Sequence, residues 1–327
     1  MTHPLSIWVV SDGRAGIENQ ALGLAEAVQR LTPAEIDVRR VKWRRAFDAL
    51  PVALKRPRML DPLSDKPFPP PGEPWPDLWV ATGRATLPLS LAARARSNGR
   101  TFVVQTQDPR LSPDRFDMVV APAHDELDGD NVFAITGSPH RITPKRLAEA
   151  APAFAERLAT LPHPRVAVLI GGRSGAFDLP SAHARALADQ VADAVRARGG
   201  SILATFSRRT PAEGRAAMTG PLSAGPGWVW DGTGDNPLFA FLDAADHILV
   251  TEDSANMAAE AASTGKPVHI LPMVPRKPPG KFARLHADLA AHGATRPFDG
   301  DLTPWTYAPL NETERAARAV LEAMAAR

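Results

Sequence analysis

The sequence predicts an α/β protein of two doubly wound, Rossmann-like domains facing a cleft. Three observations carry that expectation. Short apolar runs of strand length alternate with stretches of helical periodicity, the pattern of a parallel sheet with helices on both faces. The alternation restarts at Arg165, after Leu161-Pro162-His163-Pro164. Polar, glycine-bearing turns fall behind the strands, where open parallel sheets hold their ligands. The length of 327 residues agrees, since a domain takes roughly 150 residues.

In the first half the strands are read at 6–10, 36–41, 78–81, 101–105, 118–121 and 132–136. Helices are read at 20–31 and 87–96. A proline-rich connector, 67–76, cannot pair inside a sheet. A helix from Pro144 to Leu158 leads into the Pro162-His163-Pro164 hinge. The second half has strands at 165–170, 202–206, 228–230, 247–251 and 268–271, and helices at 181–198 and 237–244. A last helix covers 312–326. The domains are therefore set at 1–143 and 165–309, joined by 144–164, with 310–327 as a carboxy-terminal helix.

Composition narrows the function. There is no cysteine, so disulfides and thiolate chemistry are out. A formal net charge of only +2 gives no reason to expect a nucleic-acid partner. No run of 18 apolar residues is present, and Met1-Thr2-His3-Pro4 lacks a basic leader. These features read as a cytoplasmic chain. The histidines are scattered without metal-ligand spacing, and no Gly-x-Ser-x-Gly elbow occurs, so neither a metal site nor a serine hydrolase is expected.

The segment from Ile248 to Val268 is the most informative. An apolar strand runs into Thr251-Glu252-Asp253-Ser254, then a short helix and a Gly265-Lys266-Pro267 stop. Ser254 can cap that helix, which gathers free N–H groups into a phosphate seat. Glu252 and Asp253 would repel a phosphate unless they point elsewhere, so the backbone and Ser254 are the expected contacts. Glu260 could bond a sugar hydroxyl, and Met257 belongs to the same nucleotide-binding set. An exposed helix glutamate is the plainer reading of Glu260.

Other turns join the site. Gly171-Gly172-Arg173-Ser174-Gly175 is a candidate diphosphate cradle. Ser207-Arg208-Arg209-Thr210 offers two arginines beside hydroxyls, or a solvated basic turn. Asp235 and Asn236, before Pro237, could shape a base pocket or only cap a helix. In the first half, Ser11 to Gln20 holds Asp12 and Glu18 as candidate general bases and Arg14 as an anion holder. Gly13 allows a tight turn, and Asn19 could cap the helix. Thr82-Gly83-Arg84 and Gln107-Asp108-Pro109-Arg110 should lie on the same edge as Asp12. Residues 39–58 are crowded with Lys and Arg, and Trp43, Phe47, Leu50 and Leu54 follow roughly helical spacing. That pattern suits an anionic membrane surface or a solvated helix.

Taken together, Asp12-Gly13-Arg14…Glu18-Asn19-Gln20, Thr82-Gly83-Arg84, Gln107-Asp108-Pro109-Arg110, Gly171-Gly172, Ser207 to Thr210, Gly234 to Pro237 and Thr251 to Ser254 resemble the mitochondrial-fission ELM ("elongated mitochondria") family. Many of its members are bacterial. The resemblance implies a GT-B-type glycosyltransferase architecture, with a nucleotide-sugar on the second domain and an acceptor on the first. It also implies that the carboxy-terminal helix packs back on the first domain. The Ser254-to-Pro267 segment is similar to the donor-binding segment of members with lipid acceptors. The implied function is sugar transfer from a nucleoside-diphosphate sugar to a membrane-associated acceptor, with no cofactor beyond that substrate and the chain peripheral on a membrane. The histidine of some GT-B first turns is absent here; Glu18 or Asn19 falls near its place. Plant members imply an alternative, a non-catalytic adaptor that recruits a dynamin-related GTPase.

Overall fold

A computed structural model describes residues 3–278 and 280–327. Met1 and Thr2, part of the amino-terminal reading above, lie outside the described residues. The chain divides into two compact units. One runs to Arg141 and takes in Asn311–Arg327; the other is Ile142–Leu310.

The first unit is a six-stranded parallel sheet of β1 (Leu5–Ser11), β2 (Ala34–Arg40), β3 (Leu78–Thr82), β4 (Phe102–Thr106), β5 (Met118–Pro122) and β6 (Val132–Ile135), ordered β2-β1-β3-β4-β5-β6. Every pairing is parallel. β3, β4 and β5 are buried along their length, which is why they read as continuous apolar runs rather than alternating ones. One face packs Ile7, Val9 and Val80 on the helix Ala15–Leu31 and on Ala316, Ala317 and Val320 of the helix Glu312–Ala325. The other face buries Trp8, Trp79 and Phe116. Glu312 Oε2 accepts the Thr136 N–H at 2.7 Å, fastening the carboxy-terminal helix behind β6.

The second unit repeats the plan. Its strands are β7 (Arg165–Ile170), β8 (Phe177–Asp178), β9 (Ser201–Phe206), β10 (Gly227–Val229), β11 (His247–Thr251), β12 (Val268–Leu271), β13 (Val274–Pro275) and β14 (Thr295–Pro297). The main sheet is ordered β10-β9-β7-β11-β12-β14 and is parallel throughout; β13 and β8 pair antiparallel beside it. Apolar layers cover both faces. In each unit the chain reverses direction across the sheet at one place, between β1 and β3 and between β7 and β11. Such switch points open a crevice at the carboxyl ends of the strands.

Three local expectations are corrected. The first helix starts at Ala15, not Gln20, and Arg14 rather than Asn19 stands at its N-cap. Ser11 Oγ and Asp12 Oδ1 accept the N–H groups of Gly13 and Arg14, so the turn closes early and Asn19 is drawn into the helix. The linker helix breaks into Pro144–Ala150 and Ala155–Ala159 around a 3-10 turn, because Pro152 has no N–H to continue it. Residues 39–58 form no amphipathic helix. Pro51 and Pro57 interrupt the segment, and only Arg45–Asp48 is α-helical, followed by 3-10 turns at Val52–Leu54 and Pro57–Met59. The short strands β8, β13 and β14 and the helix Lys281–Ala291 were not read from sequence.

His140 makes the first unit acid-sensitive. The residue is buried; desolvation, with Arg30 nearby, pushes its pKa down to about 4. In the unfolded chain the imidazole titrates near 6.5. Its contribution is complete above pH 6.5 and falls away as pH drops toward 4, by about 3 kcal/mol. Urea titrations between pH 7 and 4 should show a shallower acid limb for His140→Gln than for the parent. Parallel limbs would refute the assignment.

Candidate functional site

The second-unit candidates lie at the carboxyl ends of β7, β9 and β11, at the switch point, except Asp235 and Asn236, which follow the edge strand β10. The centre of the group is Asp253, whose side chain has no solvent exposure. It accepts the Gly172 N–H at 3.0 Å and the Thr251 hydroxyl at 2.7 Å, and pairs with Arg209 Nη1 at 2.7 Å. Thr251 Oγ1 accepts the Gly171 N–H at 2.7 Å. The Thr210 hydroxyl donates to the Gly171 carbonyl, and the Arg173 N–H to the Arg209 carbonyl at 3.1 Å. A buried carboxylate so satisfied is affordable only because charge and hydrogen bonds surround it.

This network corrects the expected cradle. The N–H groups of Gly171 and Gly172 are already taken by Thr251 and Asp253, so they hold the turn together instead of facing a diphosphate. The glycines are required by close approach. A Cβ on Gly171 would sit 2.0 Å from Asp253 Oδ1, and one on Gly172 2.1 Å from the Arg209 carbonyl oxygen. Arg209 is spent on Asp253. Arg173 pairs with Asp178 at 2.9 Å, and Ser174 Oγ accepts the N–H groups of Ala176 and Phe177. Glu252 also points away, its Oε1 accepting the Met273 N–H at 2.7 Å. Asn236 makes a turn by accepting the Leu238 N–H at 3.0 Å, while Asp235 is exposed.

What stays open is the turn edge itself. Ser254 caps the helix Ala255–Ala262 by accepting the Met257 N–H. Arg208 is exposed. The Arg209–Asp253 pair ties its loop to the loop that starts this helix. The helix buries Ala258, Ala259, Ala261 and Ala262 and leaves Asn256, Met257 and Glu260 half-buried at spacings of three and four residues, hence on one face. Desolvation pushes the Glu260 pKa up to about 7. Two cations were missed: Arg276 Nη1 donates to the Ser174 carbonyl at 3.1 Å, and Lys277 Nζ lies 3.9 Å from where a Gly175 Cβ would stand. Their signal was the Arg276-Lys277…Lys281 run amid prolines.

In the first unit the candidates lie at the carboxyl ends of β1, β3 and β4. Gln107, at φ +69°, donates to Gln20 Oε1 at 2.7 Å. Gly83, at φ +85°, leaves room for Ile17. Asp108 is folded back on Arg110 at 2.9 Å. Neither candidate base is free. Asp12 pairs with Arg14 at 2.6 Å. Glu18 accepts from Arg40 at 2.8 and 2.9 Å and from Ser11 Oγ at 2.7 Å. Arg40 above all, helped by Ser11, holds the Glu18 carboxyl below its ordinary range, which makes it a weak proton acceptor at neutral pH. Asn19 is half-buried in the helix, and Arg84 is exposed.

The pattern described as mitochondrial fission ELM1 matches residues 15–324. The chain belongs to that family. Within it, the Arabidopsis thaliana protein named mitochondrial fission protein ELM1 is 33% identical over 279 residues, covering 77% of this chain and 65% of that protein. The chain thus spans slightly under two thirds of that relative. An uncharacterized protein of Rickettsia prowazekii (strain Madrid E) is 25% identical, over 97% of this chain and 98% of its own. Among solved structures, the UDP-GlcNAc 2-epimerase from Methanocaldococcus jannaschii superposes with a TM-score of 0.55 at 12% identity, covering 97% of this chain and all of that one. A putative UDP-N-acetylglucosamine 2-epimerase from Listeria monocytogenes gives 0.54 at 13%, over 98% and 88%. These likenesses place the family member in the GT-B-like, Rossmann-type α/β class. Among the described residues no helix is long and apolar enough to cross a membrane.

Proposed function

We propose that the second unit binds a nucleoside-diphosphate sugar and that the chain transfers this sugar to a membrane-associated acceptor. One observation carries the reading. At the switch point, the Ser254-capped helix N-terminus and Arg208, exposed and without an ion pair among the described residues, are drawn together by the Arg209–Asp253 bridge. Helix N–H groups and an arginine are the complement of a diphosphate. Glu260, poised near neutrality, can donate to or accept from a sugar hydroxyl. The epimerases named above act on a UDP-sugar, which supports this ligand class. In the transfer, the bond from the anomeric carbon to the diphosphate breaks as the acceptor oxygen bonds that carbon. The acceptor proton goes to a carboxylate, and Arg208 and the helix N-terminus receive the charge of the leaving diphosphate. The candidate carboxylates for that proton are Asp12 and Glu18, each paired with an arginine.

The test is calorimetric titration with nucleoside diphosphates and their sugars. Arg208→Ala should weaken binding about tenfold, the worth of one charge-assisted contact. Unaltered affinity would misplace the cradle; no heat from any nucleotide would remove the enzyme reading.

The locked state of Asp12 and Glu18 favours a second reading, a non-catalytic, membrane-peripheral adaptor for a dynamin-like GTPase. Residues 39–58 would face an anionic membrane, with Leu54 exposed among the cations. This reading expects salt-sensitive sedimentation with anionic vesicles and no nucleotide binding.

A further inference from the structure

The first unit holds a cavity of about 520 Å³ beside the turn after β1. Neither the turn nor the basic segment 39–58 reveals it alone. Arg14 and Arg84 come from the turns after β1 and β3, and Lys42, Arg45 and Lys55 from the basic segment; all five line the one cavity, against only two carboxylates, Asp12 and Asp48.

Both carboxylates are already matched. Asp12 pairs with Arg14 at 2.6 Å. Lys55, buried under the Trp43 ring with its ammonium 5.0 Å from the centroid, sits 3.8 Å from the Asp48 carboxylate and donates to the Asp48 carbonyl. Lys42, Arg45 and Arg84 therefore remain without a protein counter-charge among the described residues. The segment that carries the first two is not loose. The Trp43 indole N–H donates to the Ala85 carbonyl at 2.9 Å, Trp43 bridges to Leu60, and Arg44 Nε donates to the Leu60 carbonyl at 3.0 Å. Two of these like charges are thus carried by a pinned loop and the third, Arg84, by the turn after β3, around one polar space, an arrangement that repels itself until an anion enters. The volume suits a small molecule.

We propose that this cavity binds a phosphate-bearing molecule with at least two negative charges. The proposal does not rest on nucleotide-sugar binding by the second unit or on sugar transfer.

The test keeps the two sites apart by titrating the full chain carrying Arg208→Ala with inorganic pyrophosphate. Binding is expected there, weakened tenfold or more when Lys42→Ala and Arg45→Ala are added, and retained with Lys42→Arg and Arg45→Lys. UDP titration of the chain with Arg208 intact should be unchanged by the double alanine variant. Absence of heat in the Arg208→Ala chain, or equal affinity with and without Lys42 and Arg45, overturns the proposal. Phosphatidylcholine vesicles containing phosphatidylserine supply the other arm. Sedimentation that pyrophosphate reverses assigns the anion to a lipid headgroup and supports the site; sedimentation that pyrophosphate and the double variant both leave unchanged overturns it for lipid.

Discussion

Gly172→Ala lowers stability by on the order of 3 kcal/mol and removes the nucleotide binding proposed for the second unit. The new methyl would lie 2.1 Å from the Arg209 carbonyl oxygen, 2.3 Å from its carbon and 2.5 Å from the Thr210 nitrogen. All three are backbone atoms, so no side chain can swing aside, and overpacking of this kind costs about 1–3 kcal/mol. Displacing Gly172 also withdraws its N–H from Asp253, a buried carboxylate that depends on it. The damage spreads from the β7 turn to the β9 and β11 turns, which Asp253 joins. Gly175→Ala is the control, since its methyl would meet nothing nearer than Lys277 Nζ at 3.9 Å. In urea, Gly172→Ala should lower the midpoint with an unchanged slope, while Gly175→Ala keeps the parent midpoint. A parental midpoint for Gly172→Ala would mean that the turns do not approach as described.

Glu260→Gln stabilises the protein above pH 7 and leaves it unaffected below pH 4.5. Burial raises the folded pKa from 4.5 to about 7. Between these values the native state holds a proton that the unfolded chain releases. Stability is therefore full below pH 4.5, declines as pH rises through about 7, and stays reduced above it, a loss of about 3 kcal/mol. Glutamine keeps the shape and cannot ionise, so at pH 8 the variant should gain about that amount. Denaturation at pH 4.5 and pH 8 reads it directly. If the gain is the same at both, Glu260 does not carry the shift.

These two residues show how unevenly the site could be read. Ser254 was legible as a cap because a serine reaches the N–H of the third residue along, a contact inside one turn of chain. Glu260 was legible as a site candidate, but its perturbed ionisation was not, because desolvation depends on what packs around the helix. Gly171 and Gly172 stood out as glycines, yet their cause was hidden. The atoms that exclude a side chain belong to Arg209 and Asp253, about 40 and 80 residues further along the chain. The basic segment misled in the same way. Trp43, Phe47, Leu50 and Leu54 kept helical spacing, but Pro51 and Pro57 broke it, and Trp43 was claimed by Leu60 and Ala85.

By itself the sequence determined the class of the fold, the order of its long strands and helices, and the strand-end turns that gather at each sheet edge. Those features rest on period, propensity and capping, which act over a few residues. Only the tertiary structure decided which polar groups are spent and which are free. It committed Arg209 to Asp253 and left Arg208 open, locked Glu18 to Arg40, and brought Lys42 and Arg45 to the same cavity as Arg84. Polar groups find their partners through space, and pairings across 22 to 80 residues leave no local periodicity to read.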